Sequence, residues 1–393
     1  MVSLQTMHLA LFLSGLTGGG AQRRTLTLAG AFVQRGHHVS LLPVRTEGPF
    51  LGQVPPGVEV VAVGGPLISR TLAKRSRTAS VVAATFALMR TLRALRCDAV
   101  LSTSDPANIA AVSARALGRL PVAAIVVSNI DHANALAEQP ALVRPFLRKV
   151  LAAAYRSADA VIGISTGTSE SLRELTGLPA ERITTIHNPV PVDVIAAKAH
   201  DPAPHPWLED PAVPVVLAVG KLKPQKDYPT LLRAFVRARS QRPLRLLVLG
   251  EGELRSDLEK LARDLGLSEH VCFEGFVENP FSYMARVAVL VLSSRWEGLS
   301  NTLLEALACG CPVVSTDCPS GPREILEHGT YGQLVPVGDE AALAGAILAA
   351  LERPRNAERL RARAQQFSVD AAADAYLAVI DAATAARRRA RNA

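Results

Sequence analysis

The segment 295–311, "RWEGLSNTLLEALACGC", sets two carboxylates, Glu297 and Glu305, eight positions apart across a glycine and a Ser-Asn-Thr cluster. Before it, "VAVLVLSS" (287–294) is a nearly unbroken apolar run of the kind a buried parallel strand needs; after it, "LLEALA" reads as helix. Two readings compete for these residues. Thr302 followed by Glu305 fits a capping box at a helix start, with Glu297 a solvated loop acid. Against that stands location: a strand-to-helix turn in an open α/β sheet lies at the carboxyl edge of the strands, where ligands bind. The location favours the ligand site.

Other turns carry chemistry of the same kind. Gly18, Gly19 and Gly20 follow a first apolar run and open a helix, letting backbone approach an anion beside unpaired helix N–H groups. The run matches neither G-x-G-x-x-G nor a Walker loop, so neither a dinucleotide fold nor an NTPase is indicated. In "GKLKPQKDYPTLL" (220–232), Lys221 and Lys226 flank a turn and can aim two point charges at one diphosphate. "LGEGELRSDLEKLARDLGL" repeats a glycine turn at Gly250 and Gly252 before an amphipathic helix. In "FEGFVENPFSYM", Gly275 and Phe276 lie on another such edge, where backbone groups can hold a base. No Asp-x-Asp occurs in the chain, which removes the usual carboxylate pair for a divalent metal and leaves lysines and helix N-termini to carry a diphosphate.

The elements that must position these turns alternate. "HLALFLS", "HVSLLPV", "VEVVAV", "DAVLST", "VAAIVVS" and "DAVIGIS" are strand-like and separated by helical stretches, and "RITTIHNPV" closes the series. A Pro-, Asp- and His-rich segment then interrupts. A second series follows with "VVLAVG", "LRLLVLG", "VCFEGF", "VAVLVLSS", "PVVSTD" and "GQLVPV". The pattern predicts an α/β protein of two parallel-sheet domains, 1–199 and 213–368, joined by a linker at 200–212, with a C-terminal helix over 369–393 crossing back to the first domain.

Bulk composition agrees with a folded two-domain protein. The 393 residues are 49% hydrophobic and 20% charged, which describes a folded chain, and the net charge of +8 points to anionic partners. Aromatic residues make up only 4%, and no basic stretch is interleaved with stacking rings, so nucleic acid is not an expected partner. Five cysteines without C-x-x-C spacing fit a reducing compartment, with Cys309 and Cys311 read as small buried hydrophobes rather than a metal pair. The opening "MVSLQTMHLALFLSGL" lacks a basic leader and is expected to be a first strand.

In order, "GKLKPQKD", "LVLGEGELRSDLEKLA", "VCFEGFVENPFSYM", "SSRWEGLSNTLLEALACGCPVVSTDCPSGPREIL" and "GQLVPVGD" resemble the family 4 glycosyltransferases, over most of residues 213–345. The first half resembles them more loosely, through "GGGAQRRTLTLAGAF" and "IHNPV". The resemblance implies the GT-B fold, two Rossmann-like domains facing a central cleft, and a retaining, metal-independent transfer from a nucleotide sugar, expected to be a UDP-sugar, to a glycan or polyprenyl-linked acceptor. It assigns Glu297 to the donor sugar's hydroxyls and Glu305 to the ribose. Lys221, where the family often has arginine, and Lys226 would hold the diphosphate. Gly298 and the backbone of Ser300, Asn301, Thr302 and Leu303 would cap the phosphates, with Gly19, Gly20, Gly275 and Phe276 completing the donor site. Family members often carry a histidine after a strand of the acceptor domain; in "VVSNIDHAN" the nearest is His132, a third catalytic candidate beside Glu297 and Lys226.

Sugar-nucleotide epimerases and sugar-phosphate synthases share the fold, and a two-lobed sugar-binding protein is the non-enzyme alternative. The expected location is cytoplasmic, peripheral on an anionic membrane face. Between Val60 and Cys97 stand Arg70, Lys74, Arg75, Arg77, Arg90, Arg93 and Arg96 with no acid among them, beside the apolar "VVAATFALM".

Overall fold

A computed structural model describes residues 6–16, 20–63, 83–137, 139–210 and 212–392. Arg70, Lys74, Arg75 and Arg77 of the expected basic face lie outside the described residues. The chain forms two compact units, Met1–Pro189 with Val369–Ala393, and Val190–Ser368.

The first unit is built on strands β1 (His8–Leu13), β2 (His38–Pro43), β3 (Val58–Val60), β4 (Ala99–Thr103), β5 (Ala123–Ser128), β6 (Ala160–Gly163) and β7 (Ile183–Thr185). They pair in parallel in the order β3-β2-β1-β4-β5-β6-β7. The expected strand "VEVVAV" is only three residues long, an edge strand. Around the sheet lie helices α1 (Gly20–Gln34), α2 (Thr85–Leu95), α3 (Asp105–Gly118), α4 (His132–Ala137), α5 (Arg144–Arg156) and α6 (Thr166–Thr176). Local sequence sets their ends: Ser165 accepts the Thr168 N–H at the start of α6, and Gly177 takes the left-handed conformation that stops it.

The second unit has α7 (Val192–Ala199), then β8 (Val215–Val219), α8 (Tyr228–Arg239), β9 (Arg245–Leu249), α9 (Arg255–Asp264), β10 (Val271–Gly275), α10 (Pro280–Arg286), β11 (Val289–Leu292), α11 (Asn301–Ala308), β12 (Val313–Thr316), α12 (Pro322–Ile325), β13 (Gln333–Val335), α13 (Glu340–Glu352) and α14 (Ala357–Gln365). Its strands, also parallel, run β10-β9-β8-β11-β12-β13. Helix α15 (Val369–Asn392) returns to the first unit. There Arg35, in the turn just after α1, bonds Asp370 at 2.9 Å and Asp374 at 2.8 Å, and Tyr376 is fully buried.

The units divide at Pro189, ahead of the expected linker at 200–212, because α7 packs as part of the second unit. Asn279 donates to the Lys198 carbonyl at 2.9 Å and Arg286 to that of Ala199 at 3.2 Å. Where the chain crosses twice, the Val190 N–H donates to the Phe367 carbonyl at 2.8 Å. All five cysteines are unpaired, and Cys309 and Cys311 are buried with their thiols on the backbone carbonyls of Phe281 and Pro312. Burial pushes both thiols up to about 12, so they remain protonated.

At the carboxyl edge of the second sheet the strand register continues into the loops. Gly220 N–H donates to Leu249 O at 2.9 Å, Leu222 N–H to Glu251 O at 3.0 Å, and Gly250 N–H to Gly275 O at 2.6 Å. This close approach is why glycines stand at 250 and 252. A Cβ on Gly250 would lie 2.1 Å from Gly220 O, and one on Gly252 would lie 2.3 Å from Leu222 O. Gly252→Ala should therefore lower stability by about 2 kcal/mol, since backbone must move. Gly345→Ala, on an exposed helical position with nothing within 4 Å of the new Cβ, should raise it by up to about 1 kcal/mol. Paired thermal unfolding curves check both; equal effects would refute the close-approach account.

Candidate active site

In the second sheet the strand order reverses between β8 and β11, which are hydrogen-bonded neighbours. The loops leaving these two strands diverge, and a crevice opens at such a switch point. The two loops carry Lys226 and Glu297. Lys226 Nζ lies 2.6 Å from Glu297 Oε1, and Ser294 Oγ donates to the same oxygen at 2.7 Å. Both charged side chains are well buried, 14% and 8% exposed, so each is held as the other's counter-ion.

Backbone contacts lock the loops together. Ser293 Oγ donates to the Lys226 carbonyl at 2.7 Å, Gln225 Nε2 to the Trp296 carbonyl at 2.6 Å, and the Arg295 N–H to the Gln225 carbonyl at 2.8 Å. Asp227 sits in the left-handed region at φ 48°, where its carboxylate accepts Thr230 Oγ1 at 2.9 Å and Arg295 Nε at 3.2 Å. Tyr228 OH donates to the Gly220 carbonyl at 3.0 Å. Burial, then the neighbouring Glu297 charge, pushes that phenol well above its ordinary value, so it stays a donor. Sequence reasoning missed Ser293, Ser294, Asp227 and Tyr228. Their only sequence signal was adjacency to the lysine loop or the strand end.

Helix α11 begins at Asn301 with Ser300 as its N-cap residue, and no side chain caps it. Thr302 thus lies inside the first turn, which rules out the capping box. The loop after β12 causes this: Glu297 N–H donates to Pro319 O at 3.1 Å, and Gly321, at φ 101°, comes so close that a Cβ there would lie 3.0 Å from Leu299 Cα. The hydroxyls of Ser300 and Ser320 are buried beside this helix start and have no hydrogen-bond partner. Unmade polar bonds at a helix N-terminus fit an anion that completes them. Gly298, Asn301, Thr302 and Glu305 are half-buried, Leu303 is buried, Lys221 is exposed, and Phe276 stands out at 78% exposure beside the buried Gly275.

The remaining expected residues belong to the first unit. Gly20 is exposed at the start of α1, and Gly19 lies outside the described residues. His132 is only 1% exposed. Its Nε2 lies 3.2 Å from Asp105 Oδ1, which also accepts the Tyr155 hydroxyl at 2.6 Å. Asn108 donates to the Tyr155 oxygen at 3.0 Å and to the Val127 carbonyl at 3.0 Å. Burial, then the Asp105 charge, pushes the Tyr155 phenol well above its ordinary value and keeps its proton in this network. The network follows β4, at the point where the first sheet reverses its order. In this conformation His132 is an interior member of it, not a side chain that meets a substrate.

Two doubly wound parallel-sheet units define an α/β protein of the GT-B fold. A model of glycosyl transferases group 1 matches residues 213–353, and one of glycosyltransferase family 4 matches residues 18–194. The chain belongs to the family 4 glycosyltransferases. It is 34% identical over 232 residues to N-acetylgalactosamine-N,N'-diacetylbacillosaminyl-diphospho-undecaprenol 4-alpha-N-acetylgalactosaminyltransferase of Campylobacter jejuni, a match covering 58% of this chain and 60% of that protein. It is 38% identical over 179 residues to the lipopolysaccharide core biosynthesis glycosyltransferase LpsE of Rhizobium meliloti, covering 44% of this chain and 52% of the relative. The matches thus span at most about 60% of these relatives' length. HepE of Anabaena, solved in complex with UDP and glucose, has the same fold, with a TM-score of 0.77, 20% identity, and coverage of 95% of this chain and 99% of that one.

The buried pair makes a stability prediction independent of turnover. Lys226→Met should cost about 3 kcal/mol by leaving Glu297 uncompensated, while Lys226→Met combined with Glu297→Gln should recover part of that loss. Denaturant unfolding of both single variants and the double variant measures the coupling, and additive losses would show that the pair is not coupled.

Proposed function

We propose that this protein transfers a glycosyl group from a nucleoside-diphosphate sugar, with UDP as the nucleotide, to a glycan or lipid-linked acceptor in the assembly of a cell-surface polysaccharide. The observation that carries this reading is the Lys226–Glu297 pair at the switch point, beside a helix start with orphaned hydroxyls. The names of the relatives, which act on undecaprenol-linked and lipopolysaccharide substrates, support the acceptor class. UDP in the HepE complex supports the nucleotide.

In this reading Lys221, Lys226 and the first-turn amides of α11 hold the diphosphate, and Gly275 and Phe276 flank the base. Glu305 takes the ribose, and the Glu297 carboxylate accepts hydroxyls of the donor sugar. Bond breaking runs from the anomeric carbon to the diphosphate oxygen. The acceptor oxygen attacks the same face, and its proton passes to the leaving phosphate, so configuration is retained. Charge developing on that phosphate is stabilised by the ammonium groups and helix dipole without a metal. The enzyme works at the cytoplasmic face of an anionic membrane; no helix among the described residues is long and apolar enough to cross one.

Incubation with a panel of nucleotide sugars, read as nucleoside diphosphate release, tests the proposal. Glu297→Gln should lower turnover at least about tenfold with the fold intact. Replacing Lys221 and Lys226 by alanine should weaken nucleoside diphosphate binding more than nucleoside binding. No release from any donor, or an undiminished Glu297→Gln rate, would refute it. EDTA should leave the rate largely unchanged; complete loss would overturn the metal-free mechanism.

A further inference from the structure

The second unit carries a groove of about 150 Å³ that the donor site does not use. Its walls come from the approach to β12 at Pro312, the approach to β13 from Gly329 to Gln333, the end of α13 and the first turn of α14. In a parallel sheet every strand starts at one edge, so a groove at the starts of β12 and β13 lies at the amino edge. Lys226 and Glu297 follow β8 and β11 and lie at the carboxyl edge. The length of β12 alone puts roughly 10 Å or more between the two places. Helix α11 runs from one to the other: its start is at the donor edge, and the carbonyls just past its end, Cys309 and Gly310, accept from an arginine of the groove, Arg355.

The groove's charge is of one sign and is not spent inside the protein. Arg353, Arg355 and Arg359 line it, all three exposed, and no acidic residue does. Arg355 Nε donates to the Gly310 carbonyl at 2.8 Å and Nη2 to that of Cys309 at 3.4 Å. Arg359 donates to the Thr330 carbonyl at 3.2 Å, with its guanidinium 5.1 Å from the centre of the Tyr331 ring. These neutral partners orient both guanidinium groups and leave N–H groups on each for a ligand. Arg353 has no side-chain hydrogen bond, and none of the three arginines pairs with a carboxylate among the described residues. Two amides add to the set. Gln333, on the lining, has Nε2 buried without an acceptor, and Asn356 accepts the Arg359 N–H through Oδ1, which leaves its amide nitrogen to donate.

We infer that Arg353, Arg355 and Arg359, with Gln333 and Asn356, form a second anion site on this unit, which takes the phosphate of a small soluble phosphomonoester. Guanidinium forks match phosphate oxygens two at a time, and a dianion balances several cations where a single carboxylate would not. A metal ion has no acid here to hold it. None of the large exposed apolar side chains lines the groove, so a lipid surface has nothing to bury in return. The Tyr331 ring already faces Arg359 and Arg363, 5.1 and 5.3 Å away, and is not free to stack the bases of a nucleic acid. Pro312, Pro354 and Leu360 make the remaining wall apolar, which suits the carbon part of a small ester. The site does not depend on what the donor site binds.

Calorimetric titration of the full-length protein with inorganic phosphate or glycerol 3-phosphate, in the presence of saturating UDP, should show saturable binding of a single molecule. Glycerol, or chloride at the same ionic strength, should show none. Arg353→Glu breaks no bond within the protein; it should weaken phosphate binding at least about tenfold and leave the unfolding temperature and UDP binding unchanged. Arg359→Lys should weaken it too, because the charge stays and the fork is lost. Absence of phosphate binding beside UDP, equal binding of phosphate and chloride, or wild-type phosphate binding by Arg353→Glu would each overturn the inference. So would binding to phosphatidic acid vesicles by a protein that ignores glycerol 3-phosphate, which would assign the groove to a lipid headgroup. If UDP itself does not bind, the donor reading fails, and the comparison of wild type with Arg353→Glu in phosphate alone still decides this site.

Discussion

The Lys226–Glu297 pair is the interaction on which the second unit's site depends. It joins two loops that leave neighbouring strands in diverging directions, and the two residues are 71 positions apart in sequence. A charge this well buried is tolerable only with a partner, so neither loop can settle independently of the other. The neutral bonds around the pair, from Ser293, Ser294 and Gln225, follow from that constraint. They hold both charged groups in place while the carboxylate makes its bonds through a single oxygen, Oε1. The glycines at 250 and 252 do the equivalent work in backbone, bringing the neighbouring loop close enough for its amides to continue the sheet.

The strands of both units were legible because a parallel strand covered on both faces must be apolar along its whole length, and runs such as "LRLLVLG" have few other interpretations. The turns were legible because the strand ends locate them. The start of α11 was not. Thr302 and Glu305 have the spacing of a cap, yet the helix begins two residues earlier because Pro319 and Gly321, in a different loop, set the path of Glu297 to Ser300. A local motif cannot report a constraint imposed by a distant loop. The same holds for Ser294, Asp227 and Tyr228, ordinary residues whose roles arise only when the loops after β8 and β11 meet. The unit boundary slipped for a related reason: the proline-rich composition of 200–212 marks irregular chain, whereas α7, which looks like more of the first half, is held by Asn279 and Arg286 of the second.

The two sheets use their switch points differently. In the second, a cation and a carboxylate face each other beside a helix start with hydroxyls left unbonded, an arrangement with capacity for an anion. In the first, the residues after β4 turn inward: Asp105 accepts from Tyr155 and holds His132, and the Tyr155 oxygen accepts from Asn108. Ser104, just before it, is held at φ 97°, a conformation that costs a non-glycine residue energy and persists only where its surroundings over-determine it. This network braces the carboxyl edge of the first unit, with His132 and Tyr155 buried in it and the Asp105 side chain still 18% exposed.

Charge balance connects the pair to the reaction proposed. Without a ligand, the Lys226 ammonium and Glu297 carboxylate cancel. A diphosphate arriving beside them would bring two negative groups together, and the carboxylate would repel it unless the ammonium stood between. Lys226 is placed for that bridging position because it already touches Oε1. The exposed Lys221 and the first-turn amides of α11 can then supply the remaining positive potential at little desolvation cost, Lys221 because it remains in water until the ligand arrives and the amides because they are fixed by the helix. In the proposed reaction, the same ammonium would be drawn toward the diphosphate as it leaves and gains charge, and the carboxylate's field would fall on the positive sugar carbon. One ion pair would thus stabilise both ends of the breaking bond, each more strongly as charge separates, which is the condition for accelerating the step rather than only holding the substrate.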